Sequence, residues 1–418
     1  MAKLPQAITS PGSLLRILIF SQHFTPEVTA AQARVHPIAR LLADRGHDVH
    51  VITAVPNHPE GIVHEGFRRR AVVHKELDGF RVSYVWARPS PNKTMASRLL
   101  LYGSYALSAS LQGFVAGRPD VVLVSSPPLP AAAAAAAVAA RHRAPLVLDI
   151  RDPWPEVAVA LGELTNPKLI GLAERLERGL YARASAIVTV TEPFRQHIAA
   201  LIDDPEKISV IPNGTTKLWL DIGKSEVDRA GLGIPNDRFV WTYAGNVGLA
   251  QGLDAALEAA ERLGDGFQLR IVGEGPVLAR LRERAAQLPN GQVEFTGLVQ
   301  PELAAQYMRA SDALLVPLGA HPTLAKFVPS KLFDACAVGR PVILAAEGES
   351  RRLAAAAGAV LAVPPEESTA LAGALRRLRE EPEFRQRLAE AGRQFAAGYL
   401  RERQVARLEQ VLRSVSSD

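Results

Sequence analysis

The stretch RILIFS (Arg16–Ser21) is a continuous apolar run of strand length and predicts a buried β-strand. A helical pattern follows from about Ala30 to Arg45 and ends at Gly46, because glycine adopts the left-handed conformation that often follows a helix without a steric penalty. The next run, DVHVIT (Asp48–Thr53), predicts a second strand. A strand, a helix and a strand in this order form a right-handed βαβ unit, so the two strands are expected to be parallel.

The same alternation continues along nearly the whole chain and predicts two mostly parallel sheets. In the first half, further strands are expected at Phe80–Val85, Val121–Ser125, Leu146–Asp149 and Ala186–Thr191. In the second half, strands are expected at Phe239–Ala244, Leu269–Val272, Val293–Thr296, Ala313–Val316 and Val342–Leu344. The sequence therefore predicts an α/β fold with two doubly wound, Rossmann-like domains that face each other across a cleft. Ligands of such sheets bind at the carboxyl ends of the strands.

The segment between the two halves is rich in Asn, Gly, Pro and charged residues, which is typical of a linker. We expect five parts: a flexible N-terminus (1–14), an N-terminal domain (15–215), a linker (216–238), a C-terminal domain (239–395) and a C-terminal helix that returns to the N-terminal domain (396–418).

Composition excludes several classes of protein. The chain has 418 residues, 48% of them hydrophobic and 22% charged, which is typical of a globular protein and not of a disordered one. A single cysteine excludes a disulfide framework and a cysteine-based zinc site. The net charge of +5 suits a phosphate-bearing ligand or an anionic membrane surface, but no nucleic-acid-binding motif is present, so we expect no nucleic acid partner.

Two apolar stretches are considered as possible membrane contacts. Ala131–Ala140 is almost pure alanine and predicts a helix packed closely on the sheet. Met95–Val115 is apolar with interspersed tyrosines, and two interpretations stay open: a helix that covers the core, or a surface that enters a membrane or holds a lipid-linked acceptor. Without a bilayer-length apolar run or a signal peptide, we expect a cytoplasmic protein.

Three glycine-bearing turns follow predicted strands of the second half: Tyr243–Gly248, Gly273–Pro276 and Gly297–Val299. Glycines at such junctions let backbone N–H groups approach a phosphate, although each turn alone can be a simple strand-to-helix connection. Three of them at successive strand ends favour a rim that faces a ligand.

The segment from Val328 to Ile343 reads VPSKLFDACAVGRPVI and opens a helix after a Pro-Ser loop. Lys331 lies in its first turn, where a cation opposes the helix dipole, so a phosphate counter-charge is one reason for its presence. Asp334 lies one step further along and can accept hydrogen bonds from sugar hydroxyls. The alternative is a solvated Lys331 and an Asp334 that only favours the helix start.

These fragments and others, in order, resemble retaining GT-B glycosyltransferases of the family 4 type. The resemblance covers nearly the whole chain and rests on FSQHFTPE (20–27), LADRGHDVHVIT (42–53), SSPPL (125–129), LDIRDPWPE (148–156), VIPNG (210–214), YAGNVG (243–248), QGL (251–253), IVGEGP (271–276), FTGLV (295–299) and PSKLFDACAVGRPVI (329–343). The chain is most similar to the bacterial branch that builds surface polysaccharides and O-antigens, including L-fucosamine transferases.

The chain departs from the family pattern at several positions. Lys326 and Asp334 stand at the Glu-x7-Glu spacing of many members. The Arg and Lys that clamp the donor diphosphate are replaced by the neutral Asn246 and Gln251, so Lys331 is the candidate cation. The His-Asp pair of many relatives reads Arg151-Asp152.

The resemblance implies a role for each candidate residue. The nucleotide sugar is expected in the C-terminal domain and the acceptor in the N-terminal one. Catalysis is expected at Asp152, Arg151, Lys331 and His23. Donor binding is expected at Gly245, Asn246, Gly248, Gln251, Gly273, Glu274, Ser330, Lys331 and Asp334. For His23, the alternative is a loop histidine that caps the backbone. No metal and no cofactor are expected, because helix dipoles and basic side chains stabilise the departing diphosphate.

The resemblance implies transfer of a sugar, with retention, from a nucleoside diphosphate sugar, expected to be UDP-linked, to a glycan or polyprenyl-linked acceptor. Such an enzyme would lie peripherally at the cytoplasmic face of the membrane. Two alternatives stay open: a sugar-nucleotide 2-epimerase, and a catalytically silent relative that binds a nucleotide sugar. Product release distinguishes them, because only a transferase yields free nucleoside diphosphate together with a new glycosidic bond.

Overall fold

The structure is a computed structural model that describes residues 13–417 apart from 93, 161 and 163. The chain divides into two compact units. Among the described residues, the first comprises 13–189, 195–210 and 405–417, and the second comprises 190–194 and 211–404. Of the predicted flexible N-terminus, residues 1–12 lie outside the described residues.

The first unit contains an eight-stranded sheet. Its strands are β1 (Arg16–Phe20), β2 (Asp48–Ala54), β3 (Val72–Leu77), β4 (Phe80–Val85), β5 (Val121–Ser126), β6 (Leu146–Ile150), β7 (Ala186–Thr189) and β8 (Ile208–Val210). Their order is β3-β4-β2-β1-β5-β6-β7-β8, and all neighbours are parallel except the β3–β4 hairpin. The winding direction reverses between β1 and β5, the position where ligands of such sheets bind.

The second unit contains a six-stranded sheet. Its strands are β9 (Phe239–Ala244), β10 (Phe267–Val272), β11 (Val293–Gly297), β12 (Ala313–Pro317), β13 (Val342–Ala345) and β14 (Leu361–Val363). The order is β11-β10-β9-β12-β13-β14, with every pair parallel. This is the doubly wound order of dinucleotide-binding sheets, with its reversal between β9 and β12. The prediction of two doubly wound α/β domains is confirmed.

The helices connect these strands. They are α1 (Ala30–Asp44), α2 (Met95–Val115), α3 (Leu129–His142), α4 (Glu156–Ala160), α5 (Pro167–Arg183), α6 (Glu192–Ala199), α7 (Lys217–Ile222), α8 (Asp254–Leu263), α9 (Leu278–Ala285), α10 (Pro301–Ala310), α11 (Ser330–Ala337), α12 (Glu349–Ala356), α13 (Ser368–Glu380), α14 (Pro382–Gly398) and α15 (Arg401–Ser416). No helix in the described part of the chain is long and apolar enough to cross a membrane.

Three strands of the structure were not predicted from the sequence, and each omission has a physical reason. β3 is an edge strand whose sequence, VVHKEL, is half polar, and its three polar residues are exposed, so it lacks the continuous apolar signal of a buried strand. β8 and β14 have only three residues each, which is too short for a periodic pattern.

The segment predicted as a linker, 216–238, lies within the second unit instead. Its helix α7 contacts α10 and α11, and Trp219 and Leu220 pack against a buried apolar cluster of this unit. Arg229 pairs with Asp312 at 3.1 Å. The Asn, Gly and Pro residues that indicated a linker therefore form turns inside a domain. At the other end of the chain, residues from 405 onwards group with the first unit.

Helix α2 packs on the first sheet through a strip of small or buried residues. Tyr105, Ala109 and Gly113 are buried. A Cβ added at Gly113 would lie 2.6 Å from the side chain of Val138 in α3, so glycine permits the close approach of the two helices. The alanine-rich α3 packs on β5 and β6, as predicted, and seven of its 14 residues are buried.

Candidate active site

The glycine turns of the second unit are joined by backbone hydrogen bonds into one rim. Gly245 follows β9 and its N–H donates to the carbonyl of Val272 at 2.9 Å. Gly273 follows β10 and its N–H donates to the carbonyl of Gly297 at 2.9 Å. Three turns that the sequence placed at successive strand ends therefore lie side by side at the carboxyl edge of the sheet.

Gly273 must be glycine for two reasons. Its φ is +137°, a conformation that side chains rarely adopt, and an added Cβ would lie 2.0 Å from the carbonyl oxygen of Gly245. The opposing atom is backbone, so it cannot move aside as a flexible side chain can.

Gly273→Ala is expected to lower the free energy of unfolding by about 3 kcal/mol, because overpacking and backbone strain each cost roughly 1–3 kcal/mol. Urea unfolding measures this loss. The control is Gly373→Ala in α13, where an added Cβ meets nothing within 4 Å. Because alanine favours helices, this control should be neutral or stabilising. Equal stability of the two variants would contradict the tight packing of the rim.

Lys331 lies over this rim. Its Nζ donates to the hydroxyl of Tyr243 at 2.8 Å and lies 4.6 Å from the centre of the Tyr243 ring. The Tyr243 hydroxyl in turn donates to the carbonyl of Asn246 at 2.5 Å. A Cβ at Gly245 would lie 3.2 Å from Lys331 Nζ. The structure thus brings together the PSK segment and the YAGNVG segment, which are about 85 residues apart in sequence.

Burial lowers the pKa of Lys331 to about 7. No ion pair joins this ammonium group to an acidic side chain in the described part of the chain; its polar partner there is the neutral Tyr243 hydroxyl. Burial also raises the pKa of Tyr243, which keeps that hydroxyl neutral. An ammonium group without a counter-charge is a favourable partner for an incoming anion.

The N-terminus of α11 adds to this positive field. The helix starts at Ser330 after Pro329, and no side chain caps it. Free N–H groups and the positive end of the helix dipole therefore lie in the same turn as Lys331. Ser330 and Lys331 are both half-buried, so the turn is neither fully enclosed nor fully solvated.

Asp334 lies one turn after Lys331 and is held within its own unit. Its Oδ1 accepts a hydrogen bond from the Thr215 hydroxyl at 2.8 Å. Burial raises the pKa of Asp334 to about 6, and the Arg401 charge and the Thr215 hydrogen bond oppose this rise. Sequence reasoning missed both partners, because Thr215 and Arg401 lie far from Asp334 along the chain. A role in ribose binding stays a prediction.

The remaining donor-site candidates occupy the rim in different ways. Gln251 Oε1 accepts the Gly248 N–H at 3.1 Å, so this side chain closes its own turn. The side chains of Asn246 and Glu274 are exposed. The Glu274 carbonyl accepts the Val247 N–H at 2.8 Å. Lys331 is therefore the cation that the structure places over the Gly245 turn.

In the first unit, His23 pairs with a carboxylate directly after β1. His23 Nδ1 lies 2.7 Å from Glu27 Oε2, and Glu27 Oε1 accepts the N–H groups of Asn57 at 2.7 Å and His58 at 2.8 Å. Burial opposes ionisation of Glu27, but the hydrogen bonds from His23 and the two amides hold the pKa of its carboxyl below the ordinary value. Within the described part of the chain, the His23 ring thus binds a carboxylate and not a backbone group.

Glu27 was missed as a functional candidate, although it ends the FSQHFTPE segment. An ionised carboxylate only accepts hydrogen bonds, so His23 Nδ1 must donate to it and Nε2 is the nitrogen left for another partner. The His23 side chain is 26% exposed, which leaves it accessible to a ligand.

Arg151 and Asp152 follow β6 in a group of four charges. Arg151 Nη2 donates to the Pro127 carbonyl at 2.9 Å. Burial raises the pKa of Asp152, and the Arg151 charge opposes this rise. Beside them, the buried Asp149 carboxylate binds Arg34 of α1, with Nη2 to Oδ1 at 2.7 Å. Arg34 and Asp149 were also missed by sequence reasoning.

Among residues 13–417, outside the gaps named above, no cluster of three His, Cys, Asp or Glu side chains could hold a metal ion. The expectation that the activity needs no metal stays a prediction.

Two family models match the chain in succession. The glycosyl transferase 4-like domain matches residues 29–214, and the glycosyl transferases group 1 family matches residues 224–395.

Curated relatives carry similar descriptions. The chain is 28% identical over 352 residues to the putative colanic acid biosynthesis glycosyl transferase WcaI of Escherichia coli K12, covering 80% of this chain and 84% of that protein. It is 27% identical over 216 residues to the lipopolysaccharide core biosynthesis glycosyltransferase LpsD of Rhizobium meliloti, covering 51% of this chain and 59% of that protein.

Solved structures share the fold. Anabaena HepE in complex with UDP and glucose matches with a TM-score of 0.71 at 18% identity, covering 97% of this chain and all of that one. WaaG, a glycosyltransferase of lipopolysaccharide biosynthesis, matches with a TM-score of 0.66 at 19% identity, covering 93% of this chain and 98% of that one. Two Rossmann-like sheets, two successive family matches and these neighbours agree: the chain is a glycosyltransferase of the GT-B fold and of the GT4 type.

Proposed function

We propose that this glycosyltransferase moves a sugar from a UDP-linked donor to a glycan or polyprenyl-linked acceptor in the synthesis of a cell-surface polysaccharide. The assignment of a nucleotide-sugar donor rests on the position of Lys331. Its ammonium group has no acidic partner among the described residues, and it lies at the uncapped start of α11 and over the Gly245 turn.

A nucleoside diphosphate fits this arrangement chemically. Its two phosphates bring negative charge that pairs with Lys331 and with the free N–H groups of the first turn of α11. When the sugar leaves, further negative charge develops on the diphosphate oxygen, and preorganised donors stabilise that charge most. These residues would serve first in binding and then in the bond-breaking step, and the proposal needs no metal.

The choice of UDP and of the pathway is supported by the relatives. HepE has been solved with UDP and with UDP-glucose, and the names of WcaI and LpsD place them in colanic acid and lipopolysaccharide core synthesis. We propose a related role here, in the surface-polysaccharide or O-antigen branch, with an amino sugar related to fucosamine as one candidate for the transferred group.

Retention of configuration is part of the proposal. In front-face attack, the acceptor hydroxyl bonds to the anomeric carbon while the bond to the diphosphate oxygen breaks, and the hydroxyl proton passes to that oxygen. No side-chain nucleophile is required. His23, Arg151 and Asp152 would orient the acceptor hydroxyl, and the cytoplasmic membrane face is the proposed place of action.

Thermal unfolding with UDP, GDP, dTDP and ADP tests the donor. A nucleotide at 100 times its Kd adds about 2.7 kcal/mol to the unfolding free energy, which raises the midpoint measurably. We expect UDP alone to do so. Release of UDP together with a new glycosidic bond would then identify sugar transfer. An isomerised donor would indicate a sugar-nucleotide 2-epimerase, and nucleotide binding without turnover would indicate a catalytically silent relative.

The affinity for UDP is expected to fall as pH rises above 7. Lys331 has a pKa of about 7 in the free protein, so above this pH it must take up a proton to pair with the diphosphate. The loss approaches about tenfold per pH unit for one proton taken up. Calorimetric titration between pH 7 and 9 measures it. Lys331→Arg should remove the dependence because guanidinium stays protonated; a flat profile in the unmodified protein would contradict the assignment.

A further inference from the structure

We propose that the outer face of α2, together with Arg68–Arg70 and Trp86, docks on a bilayer that contains anionic phospholipids. This deepens the proposed function, since a polyprenyl-linked acceptor lies in such a bilayer. The α2 face is defined here as Leu100, Leu107, Leu111 and Phe114.

The α2 face is an apolar stripe on the side of the helix opposite its packed side. Its members are spaced at i, i+7, i+11 and i+14, which places them on one side of a helix. Their exposed fractions are 52%, 62%, 58% and 38%. Tyr105, Ala109 and Gly113 are buried on the other side, so the core does not need the exposed leucines. Exposed apolar side chains that are grouped in one stripe mark interaction sites.

Basic and aromatic side chains border this stripe. A groove of about 580 Å³ is lined by Leu111, Trp86, Arg69 and Arg70, among others, which places the arginines beside the α2 face. Arg68, Arg69 and Arg70 are exposed, and neither Arg69 nor Arg70 forms an ion pair with a described residue. Trp86 is 46% exposed. Tryptophan prefers the headgroup level of a bilayer, and arginine binds lipid phosphates.

Charge complementarity favours an anionic bilayer over a second copy of this chain. The 21 residues of α2 include one arginine and no acidic residue. A two-fold contact between two α2 faces would bring the unpaired arginines of both copies together, because such an interface joins the same patch on each subunit. Lipid phosphates supply the missing negative charge.

The surface lies at the edge of the sheet that carries the candidate acceptor residues. Trp86 follows β4, His23 follows β1 and Arg151 follows β6, and these strands run parallel in one sheet. β4 and β1 are two strand spacings apart, about 10 Å. A lipid-linked acceptor held at the bilayer could therefore present its sugar near this edge.

Vesicle co-sedimentation of the full chain tests the proposal. Vesicles of equal parts phosphatidylglycerol and phosphatidylcholine should bind the protein, and vesicles of phosphatidylcholine alone should bind it at least tenfold more weakly. Leu107→Glu should weaken binding roughly tenfold or more, since each buried leucine contributes at least that factor. The double variant Arg69→Ala with Arg70→Ala should weaken it about 10- to 30-fold and reduce its sensitivity to salt.

Leu172→Glu is the matched control, because Leu172 in α5 is 62% exposed, as Leu107 is. Three results would overturn the proposal: no binding to either vesicle, equal loss in the Leu107 and Leu172 variants, or a dimer without lipid that Leu107→Glu dissociates. Transfer to a water-soluble acceptor is measured separately. Transfer without vesicle binding would reject only the docking surface, and vesicle binding without transfer to any acceptor would reject only the proposed function.

Discussion

Lys331→Ala is expected to lower kcat/KM for the nucleotide sugar by about 100- to 1,000-fold, the usual loss when one preorganised donor to a developing oxyanion is removed. Lys331 lies 2.8 Å from the Tyr243 hydroxyl and has no acidic partner among the described residues, so its charge remains available to the diphosphate. Because no acidic side chain in the described part of the chain pairs with the half-buried Lys331, its removal leaves no unpaired carboxylate behind and should not destabilise the fold.

Steady-state release of UDP measures this effect, and thermal unfolding checks the fold. Lys224→Ala is the control, since Lys224 is an exposed lysine of the same unit. Lys331→Arg should keep part of the activity because it retains the charge but not the shape of the ammonium group. Equal turnover in the two alanine variants would show that Lys331 does not serve the reaction.

The sequence predicted the fold well because buried parallel strands carry a strong local signal. Runs such as VVLVSS at β5 are buried at every position and can be recognised without knowledge of their neighbours. The glycine rim was also predictable, since a glycine after a strand reflects a local backbone requirement. Gly273 shows this, because its φ of +137° and the nearby Gly245 carbonyl both exclude a side chain.

Pairings between distant segments were not predictable. Asp334 receives its hydrogen bond from Thr215, and Asp149 receives its ion pair from Arg34, over 119 and 115 residues of chain. No local pattern encodes such contacts; they follow from strand order. The same reason explains why segment 216–238 was wrongly predicted to be a linker. Its turn-rich composition is a local feature, whereas the packing of Trp219 on a buried apolar cluster depends on distant residues.

His23→Ala is expected to lower kcat for transfer by about 100-fold, the loss that a misplacement of roughly 1 Å of a reacting group can cause, because His23 orients the acceptor hydroxyl. The donor KM should stay unchanged, because His23 lies in the first unit and the Lys331 rim in the second. Glu27→Gln should lower kcat for transfer about tenfold. A glutamine keeps an oxygen for the Asn57 and His58 amides but presents an NH₂ group to His23 Nδ1, which favours the wrong tautomer.

The pH dependence separates this positioning role from a loss of structure. Hydrogen bonds hold the pKa of Glu27 below its ordinary value of 4.5, so the stability they provide is present above that pH and is lost as pH falls through the folded pKa. Glu27→Gln should therefore reduce the loss of unfolding free energy that occurs at acidic pH, and it should also shift the pH profile of kcat.

The matched control is Asp78→Asn, which removes the carboxylate partner of His36, 2.9 Å away, in the same unit. It should leave kcat unchanged. If Glu27→Gln and Asp78→Asn alter kcat equally, the His23–Glu27 pair is an ordinary structural ion pair. If only Glu27→Gln changes the pH profile of kcat, then Glu27 sets the tautomer that His23 presents to the acceptor hydroxyl. The segment FSQHFTPE then contains both His23, which contacts the acceptor, and Glu27, which orients the His23 ring.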